Sequence, residues 1–207
     1  MIPSIKPNVF TAQVLHAAFD QLCSHLYKAN ARDKECYGFI NNDAIEILKA
    51  LGFAVNAHLQ KHKLELHPFG FGKPGFRPII HFLDVGCGYG NVLTLFDSLG
   101  WASGFWPESY GIENDPEIFN NISPRVIKNK TIELIDGRVF TNYPKYDIIY
   151  RYVPIMAANK MAELDAAIAH YARIGAYIIT FGSEDNYNDR RFKPIADHIY
   201  EKVHAQS

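Results

Sequence analysis

Between residues 84 and 90 the chain reads Asp84-Val85-Gly86-Cys87-Gly88-Tyr89-Gly90, and a helical pattern begins at Asn91. Glycines at alternate positions suit a sharp strand-to-helix turn whose backbone approaches a ligand closely, with helix N–H groups pointing outward. A plain tight turn uses the same residues. The dinucleotide fingerprint GxGxxG/A wants a small residue where this chain has Asn91, so the GxGxG spacing speaks against a nicotinamide cofactor. The next apolar segment ends in Glu113, within Tyr110-Gly111-Ile112-Glu113-Asn114-Asp115. An acid roughly 20 residues beyond such a loop accepts hydrogen bonds from two ribose hydroxyls. Alone, Glu113 reads as a solvated strand-end carboxylate; paired with the loop, it points to a nucleoside-bearing ligand.

These residues need a scaffold of alternating strands and helices, and the pattern supplies one. IIHFLDV (79–85) is a short apolar run suited to a buried parallel strand, and NVLTLFDSLGW (91–101) has helical period with a stop near Gly100. SYGIE (109–113) reads as a strand, followed by a helix opening at Pro116. Residues 132–135, 146–152 and 176–181 supply further strands, and 161–175 a helix ending in Gly175. Such alternation implies βαβ units: a Rossmann-like, doubly wound α/β fold with a mostly parallel sheet of about five strands. Only 26 residues follow Phe181. RRFKPIADHIYEKV (190–203) reads as one helix with Pro194 in its first turn, so a final antiparallel hairpin is expected to be reduced or absent.

Ahead of the sheet pattern the signals are helical. Phe10, Val14, Leu15, Ala18, Phe19, Leu22 and Leu26 recur on one helix face. Asn42 or Asp43 suits an N-cap for AIEILKAL with Gly52 as its stop, and a further helix is expected from Val55 to Leu66. The Gly/Pro-dense stretch from His67 to Pro78 is a loop. Residues 1–78 therefore read as a helical cap and 79–207 as the ligand-binding core.

Charge and composition narrow the classes. Lys and Arg number 21 against 22 Asp and Glu, so the net charge of −1 excludes a generally basic nucleic-acid binder while leaving room for a local basic patch. Cys23, Cys36 and Cys87 form no CxxC pair and no closed disulfide framework, which suits a reducing interior. The first residues lack the apolar core of a signal peptide, and the run from Ile79 to Val85 is far short of the roughly 20 residues that span a bilayer. A cytoplasmic location away from membranes is expected.

FLDVGCGYGNVL followed by YGIENDPEI resembles the class I S-adenosylmethionine-dependent methyltransferases, over roughly residues 79–181. In that family the first strand ends in an acid followed by xGxGxG and the second in an acid that holds the ribose. The resemblance implies S-adenosylmethionine as cofactor, with Asp84 bracing the loop or reaching the amino acid end. Gly86, Gly88 and Gly90 would line the cofactor, and Glu113 would bind the ribose with Asn114 beside it. After the third strand the family often shows Gly-Asp, the acid accepting from the adenine amino group. This chain has Asp136-Gly137-Arg138-Val139, with Arg138 at the usual acid position. Asp136, or backbone groups near Arg138 and Val139, would then take over the adenine contact.

The fourth strand ends Tyr150-Arg151-Tyr152-Val153-Pro154-Ile155. Methyltransferases of exocyclic base amines carry an Asn, Asp or Ser, two prolines and an aromatic residue there, which stack and hold a flipped base. This chain lacks that set, which argues against DNA amine methylation. Arg151 and Tyr152 stand where acceptor and methyl group would meet: Arg151 to clamp a carboxylate or phosphate, Tyr152 to orient or deprotonate a nucleophile. An Arg salt bridge and a packed Tyr are the structural alternatives. His58 and His62 have metal-site spacing, but position 59 is Leu and no HExxH motif forms, so no metal is expected. Lys61, Lys63, Lys73 and Arg77 form a modest basic stretch that reads as a solvated face. Trp101, Phe105, Trp106 and Tyr110 read as core-capping aromatics, and Cys87 as a small filler.

The expected activity is methyl transfer by in-line displacement to an unidentified acceptor, a protein amine or a small molecule being favoured. RNA stays open as an acceptor. Two alternatives stand beside it: a catalytically inactive cofactor-binding regulator or partner protein, and a different nucleotide-dependent enzyme such as a dehydrogenase.

Overall fold

A computed structural model describes residues 44–64, 77–121, 131–152, 158–182 and 189–205. The helix expected over 10–26, the caps Asn42 and Asp43, residues 67–76 of the Gly/Pro stretch, and Val153 to Ile155 lie outside the described residues.

The first described helix, α1 (Ala44–His62), runs unbroken through Gly52, where a stop had been expected. Glycine inside a helix costs only about 1 kcal/mol relative to alanine. The face carrying Ile47, Leu51, Ala54, Val55 and Leu59 is buried, each large side chain contributing roughly 1.5–3 kcal/mol, so packing overrides the glycine. These residues share one buried cluster with Phe82, Phe96 and Tyr177, so α1 packs directly on the sheet-bearing core.

Strand β1 (Ile79–Val85) and helix α2 (Asn91–Ser103) bracket the glycine loop. The helix overruns Gly100, because the left-handed residue that ends it is Gly104, whose N–H caps the Gly100 carbonyl. Gly100 has another purpose: a Cβ there would meet Pro107 at 2.8 Å and Phe105 at 2.9 Å. Strand β2 (Trp106–Glu113) starts three residues earlier than expected and is followed by α3 (Pro116–Asn120), capped by the Asp115 carboxylate. β3 (Thr131–Leu134), β4 (Ile148–Tyr152), α4 (Ala158–Tyr171) and β5 (Tyr177–Phe181) complete the parallel part.

The chain does not finish in a helix. Residues 190–203 form the antiparallel pair β6 (Phe192–Ala196) and β7 (Ile199–Lys202), so the sheet has seven strands, in the order β3-β2-β1-β4-β5-β7-β6. Two facts decide against the helix. Ile199 packs into the cluster on one face of the sheet and Tyr200 into the cluster on the other, the two-residue period of a buried strand. Pro194 lies on the edge strand, where a missing N–H costs nothing, and a register shift at Pro194/Ala196 blunts that edge further.

The same alternation builds both cores. Phe82, Tyr150 and Ile179 face α1 and α2, while Leu83, Ile149 and Ile178 face α4. Lys202, only 3% exposed, donates through Nζ to the carbonyls of Ala169 (2.9 Å) and Ala172. The last carbonyls of α4 thus receive a cation, the favoured charge at a helix C-terminus, and burial holds the lysine below its usual pKa.

Candidate functional site

The sheet order reverses between β1 and β4, and in open parallel sheets ligands lie beyond the carboxyl ends of the strands at that point. The glycine loop occupies this position. Gly86, Gly88 and Gly90 all adopt left-handed φ, at 73°, 53° and 79°, a region in which other residues are strained. The N–H groups of Gly86 and Cys87 both donate to the Ile112 carbonyl at 2.9 Å, which fastens the loop to β2. Asp84 lies buried in β1 between Gly111 and Tyr150, and Asn91 is buried at the start of α2.

Glu113 sits at the carboxyl end of β2, 5% exposed. One carboxylate oxygen accepts from the Gly88 N–H at 2.8 Å; the other accepts from Asn114 at 2.9 Å and Asp115 at 3.0 Å. The two motif residues singled out from sequence are thus in direct contact across 25 positions of chain. A residue that sequence reasoning passed over makes this possible. A Cβ on Gly111 would meet Cys87 Sγ at 2.8 Å and Leu93 at 3.0 Å, so the bare α-carbon lets the loop lie flat on β2. Cys87 is buried there as filler.

The segment after β3 departs from the resemblance in a definite way. Arg138 donates to the Asp136 carboxylate through its backbone N–H (2.8 Å) and its guanidinium (2.6 Å), and to Glu163 of α4 (2.9 Å). These bonds hold the Asp136 carboxyl below the ordinary range and raise the Arg138 pKa. Gly137 faces inward: a Cβ would meet Leu164 at 2.8 Å, and its carbonyl accepts from the Tyr143 hydroxyl at 2.8 Å. Val139 is 67% exposed beside them.

Arg151 and Tyr152 are neighbours on β4, and a strand turns neighbours to opposite faces. Arg151, 2% exposed, faces α4 and pairs with Asp165 at 2.9 Å. Burial pushes the Asp165 carboxyl up, with Arg151 opposing the shift. Tyr152 packs on the other face, against the cluster that contains Phe181. The two residues expected to act together are separated by the sheet, which the period of the strand itself signals.

At the amino ends of the strands His58 is buried within 3.6 Å of Asp147, and its ring contacts His62 at 4.5 Å. Burial, then His62 and Arg173, lower its pKa to about 4. Among the described residues no group of three side chains is arranged to hold a metal, and no helix is long and apolar enough to cross a membrane. Phe105 is fully buried, whereas Trp101 and Trp106 stay half-exposed and meet edge to face at 5.0 Å.

No protein-family model and no curated protein sequence matches the chain. Solved structures do. A Listeria monocytogenes protein described as a class I S-adenosylmethionine-dependent methyltransferase superposes with a TM-score of 0.55 at 14% identity, over 80% of this chain and 55% of that one. The fold is that of the class I methyltransferases. An amino pentose methyltransferase from Micromonospora echinaspora, bound to S-adenosylmethionine, matches at TM-score 0.47 and 16% identity, over 77% of this chain and 55% of that one. A sugar N-methyltransferase from Streptoalloteichus gives 0.46 and 16%, over 76% and 51%. The chain thus spans about half the length of the methyltransferase structures it matches.

Proposed function

We propose that this chain binds S-adenosylmethionine across the carboxyl ends of β1, β2 and β3 and transfers its methyl group to an acceptor over β4 and β5. The observation that carries the reading is the contact between Glu113 and the Gly88 N–H at the point where the sheet order reverses. The residues fit the cofactor. A Cβ on Gly88 would meet nothing within 4 Å, so the loop presents open space on its ligand side, and the Glu113 oxygen bonded to Gly88 keeps one acceptor site for a ribose hydroxyl. Asp84 braces the loop from beneath, Gly86 and Gly90 shape it, and Asn114 flanks the ribose. Asp136, Gly137, Arg138 and Val139 form the adenine side. Because Arg138 engages the Asp136 carboxylate, the adenine amino group is left to that shared carboxylate or to backbone near Val139.

When bound, the cofactor supplies a methyl group already activated by a sulfonium. The protein's task is then to hold the acceptor in line and to exclude water, so a strong acid–base pair is not required. Tyr152 faces the acceptor, while Arg151, held by Asp165, keeps the end of β4 in place. A small molecule or a protein amine is the favoured acceptor, in a cytoplasmic setting without membrane or metal.

Calorimetric titration with S-adenosylmethionine and S-adenosylhomocysteine tests the reading. Micromolar binding is expected, lost in Glu113→Ala and in Gly88→Val. The second variant leaves the Glu113 side chain in place, fills the open side of the loop and strains its left-handed backbone. Absence of binding to the unaltered protein would overturn the reading. A second reading, a cofactor binder without catalysis, draws on the sequestered Arg151 and on Arg138 in the acid position. Incubation with methyl-labelled cofactor and cell extract separates the two, since a pure binder labels nothing.

A further inference from the structure

Asp136 and Arg138 follow β3 close to Glu113, because the Ile135 N–H donates to the Glu113 carbonyl at 2.9 Å. The Asp136 carboxylate is filled by one neighbour. Oδ1 accepts from the Arg138 backbone N–H at 2.8 Å and from Nε at 3.1 Å. Oδ2 accepts from Nε at 3.0 Å and from Nη2 at 2.6 Å. A carboxylate has about four lone-pair sites, so these contacts occupy it. The Gly137 carbonyl takes the Tyr143 hydroxyl, and the Asp136 carbonyl takes the N–H groups of Val139 and Phe140, both at 3.1 Å. What stays open to an amino group is carbonyl oxygen beside Val139, which is 67% exposed, so water competes for the bond. The guanidinium differs. One Nη1 hydrogen goes to Glu163 at 2.9 Å, and among the described residues one hydrogen on each terminal nitrogen has no acceptor.

We propose that Arg138 sets the base selectivity of the cofactor site: it silences the Asp136 carboxylate and meets the purine with its guanidinium, so the 6-amino group goes unread. The assignment deepens the methyltransferase reading and rests on it. A site that reads a polar group leaves its own partner unpaired when that group is missing, and so rejects the analogue strongly. Here Asp136 keeps its partners whether or not the amino group is present. A guanidinium engages a purine through ring acceptors or by lying on its face, and neither contact uses the 6-amino hydrogens. The pairing also sets a direction. Removing Arg138 should create selectivity, because it returns a carboxylate to the edge of the base.

The test is calorimetry with S-adenosylhomocysteine and with its 6-deamino analogue, in which hydrogen replaces the amino group and ring N1 remains an acceptor. In the unaltered protein the two dissociation constants are expected within about fivefold of each other. In Arg138→Ala the ratio should exceed that bound in favour of the adenine ligand, with the melting temperature checking the fold. If Arg138→Ala does not fold, Arg138→Met, which keeps the apolar stem without the charge, carries the same comparison. A deamino analogue bound more than about fivefold more weakly by the unaltered protein would overturn the proposal. So would a ratio that stays within the bound in the variant. Loss of both ligands in the variant at an unchanged melting temperature would overturn it too, marking Arg138 as a brace for the whole site. If S-adenosylhomocysteine itself does not bind the unaltered protein, the methyltransferase reading fails and takes this assignment with it. That result is distinct from a bound ligand whose amino group matters.

Discussion

The two halves of the carboxyl edge are built by different means. Around β1 and β2 the edge is built from backbone: three left-handed glycines, N–H groups tied to the Ile112 carbonyl, and one carboxylate collecting three N–H donors. Around β4 and β5 it is side chain: a buried arginine paired with Asp165 behind the sheet, and aromatic rings in front. Backbone surfaces need particular residues, chiefly glycine, and so leave a spaced signature in sequence. Side-chain surfaces can be assembled from many residues, and their members meet only when strands pair. On the proposed function, the first half would hold the cofactor and the second would be free to vary with the acceptor.

The largest expected effect falls on the side-chain half. Asp165→Asn removes the carboxylate facing a guanidinium that is 2% exposed, and should cost about 3 kcal/mol of stability. Urea unfolding checks this, and calorimetry on the surviving folded protein should show cofactor affinity within about twofold of the parent. Lost cofactor affinity would break the division between the halves. Next comes Gly111→Ala in the backbone half, where the added Cβ meets Cys87 Sγ at 2.8 Å. Overpacking of this kind costs about 1–3 kcal/mol, and here it should weaken cofactor binding as well, because the loop rides on β2. Adding Cys87→Ala should restore part of both losses.

A further effect lies at the amino ends, away from either half. Burial lowers the His58 pKa from 6.5 to about 4, so the unfolded chain takes up a proton that the folded chain resists. Its contribution is complete above about pH 6.5 and is lost as pH falls toward 4, a change of roughly 1–3 kcal/mol. His58→Asn should flatten the slope of unfolding midpoint against pH over that window, with cofactor affinity at pH 7.5 unchanged.

The same division explains what the sequence allowed and withheld. β1, its loop and Glu113 were legible because an apolar run, a glycine spacing and a terminal acid are local patterns. The left-handed glycines fit that pattern, whereas the 2.8 Å contact between Glu113 and the Gly88 N–H appears only once β1 and β2 pair. The end of the chain was misjudged because Pro194 serves equally at a helix start and on an edge strand; the alternation of Ile199 and Tyr200 favoured the strand. Arg151 and Tyr152 were paired by adjacency, although the period of a strand parts them. The Arg138–Glu163 and Lys202–Ala169 contacts span 25 and 33 residues and had no local pattern to announce them. Gly111 was visible only as a letter, since its purpose is the sulfur it makes room for.

The strand order has a consequence for how the chain assembles. β7 follows β6 in sequence yet lies between β5 and β6 in the sheet. During synthesis β6 therefore has no sheet partner when it emerges, and β5 keeps an open edge until residues 199–202 arrive. The β5 side of the sheet is complete only once β7 pairs with β5 and Lys202 reaches the end of α4. Without residues 199–202 in place, β5 would present an open β-edge, the feature that invites pairing with another chain.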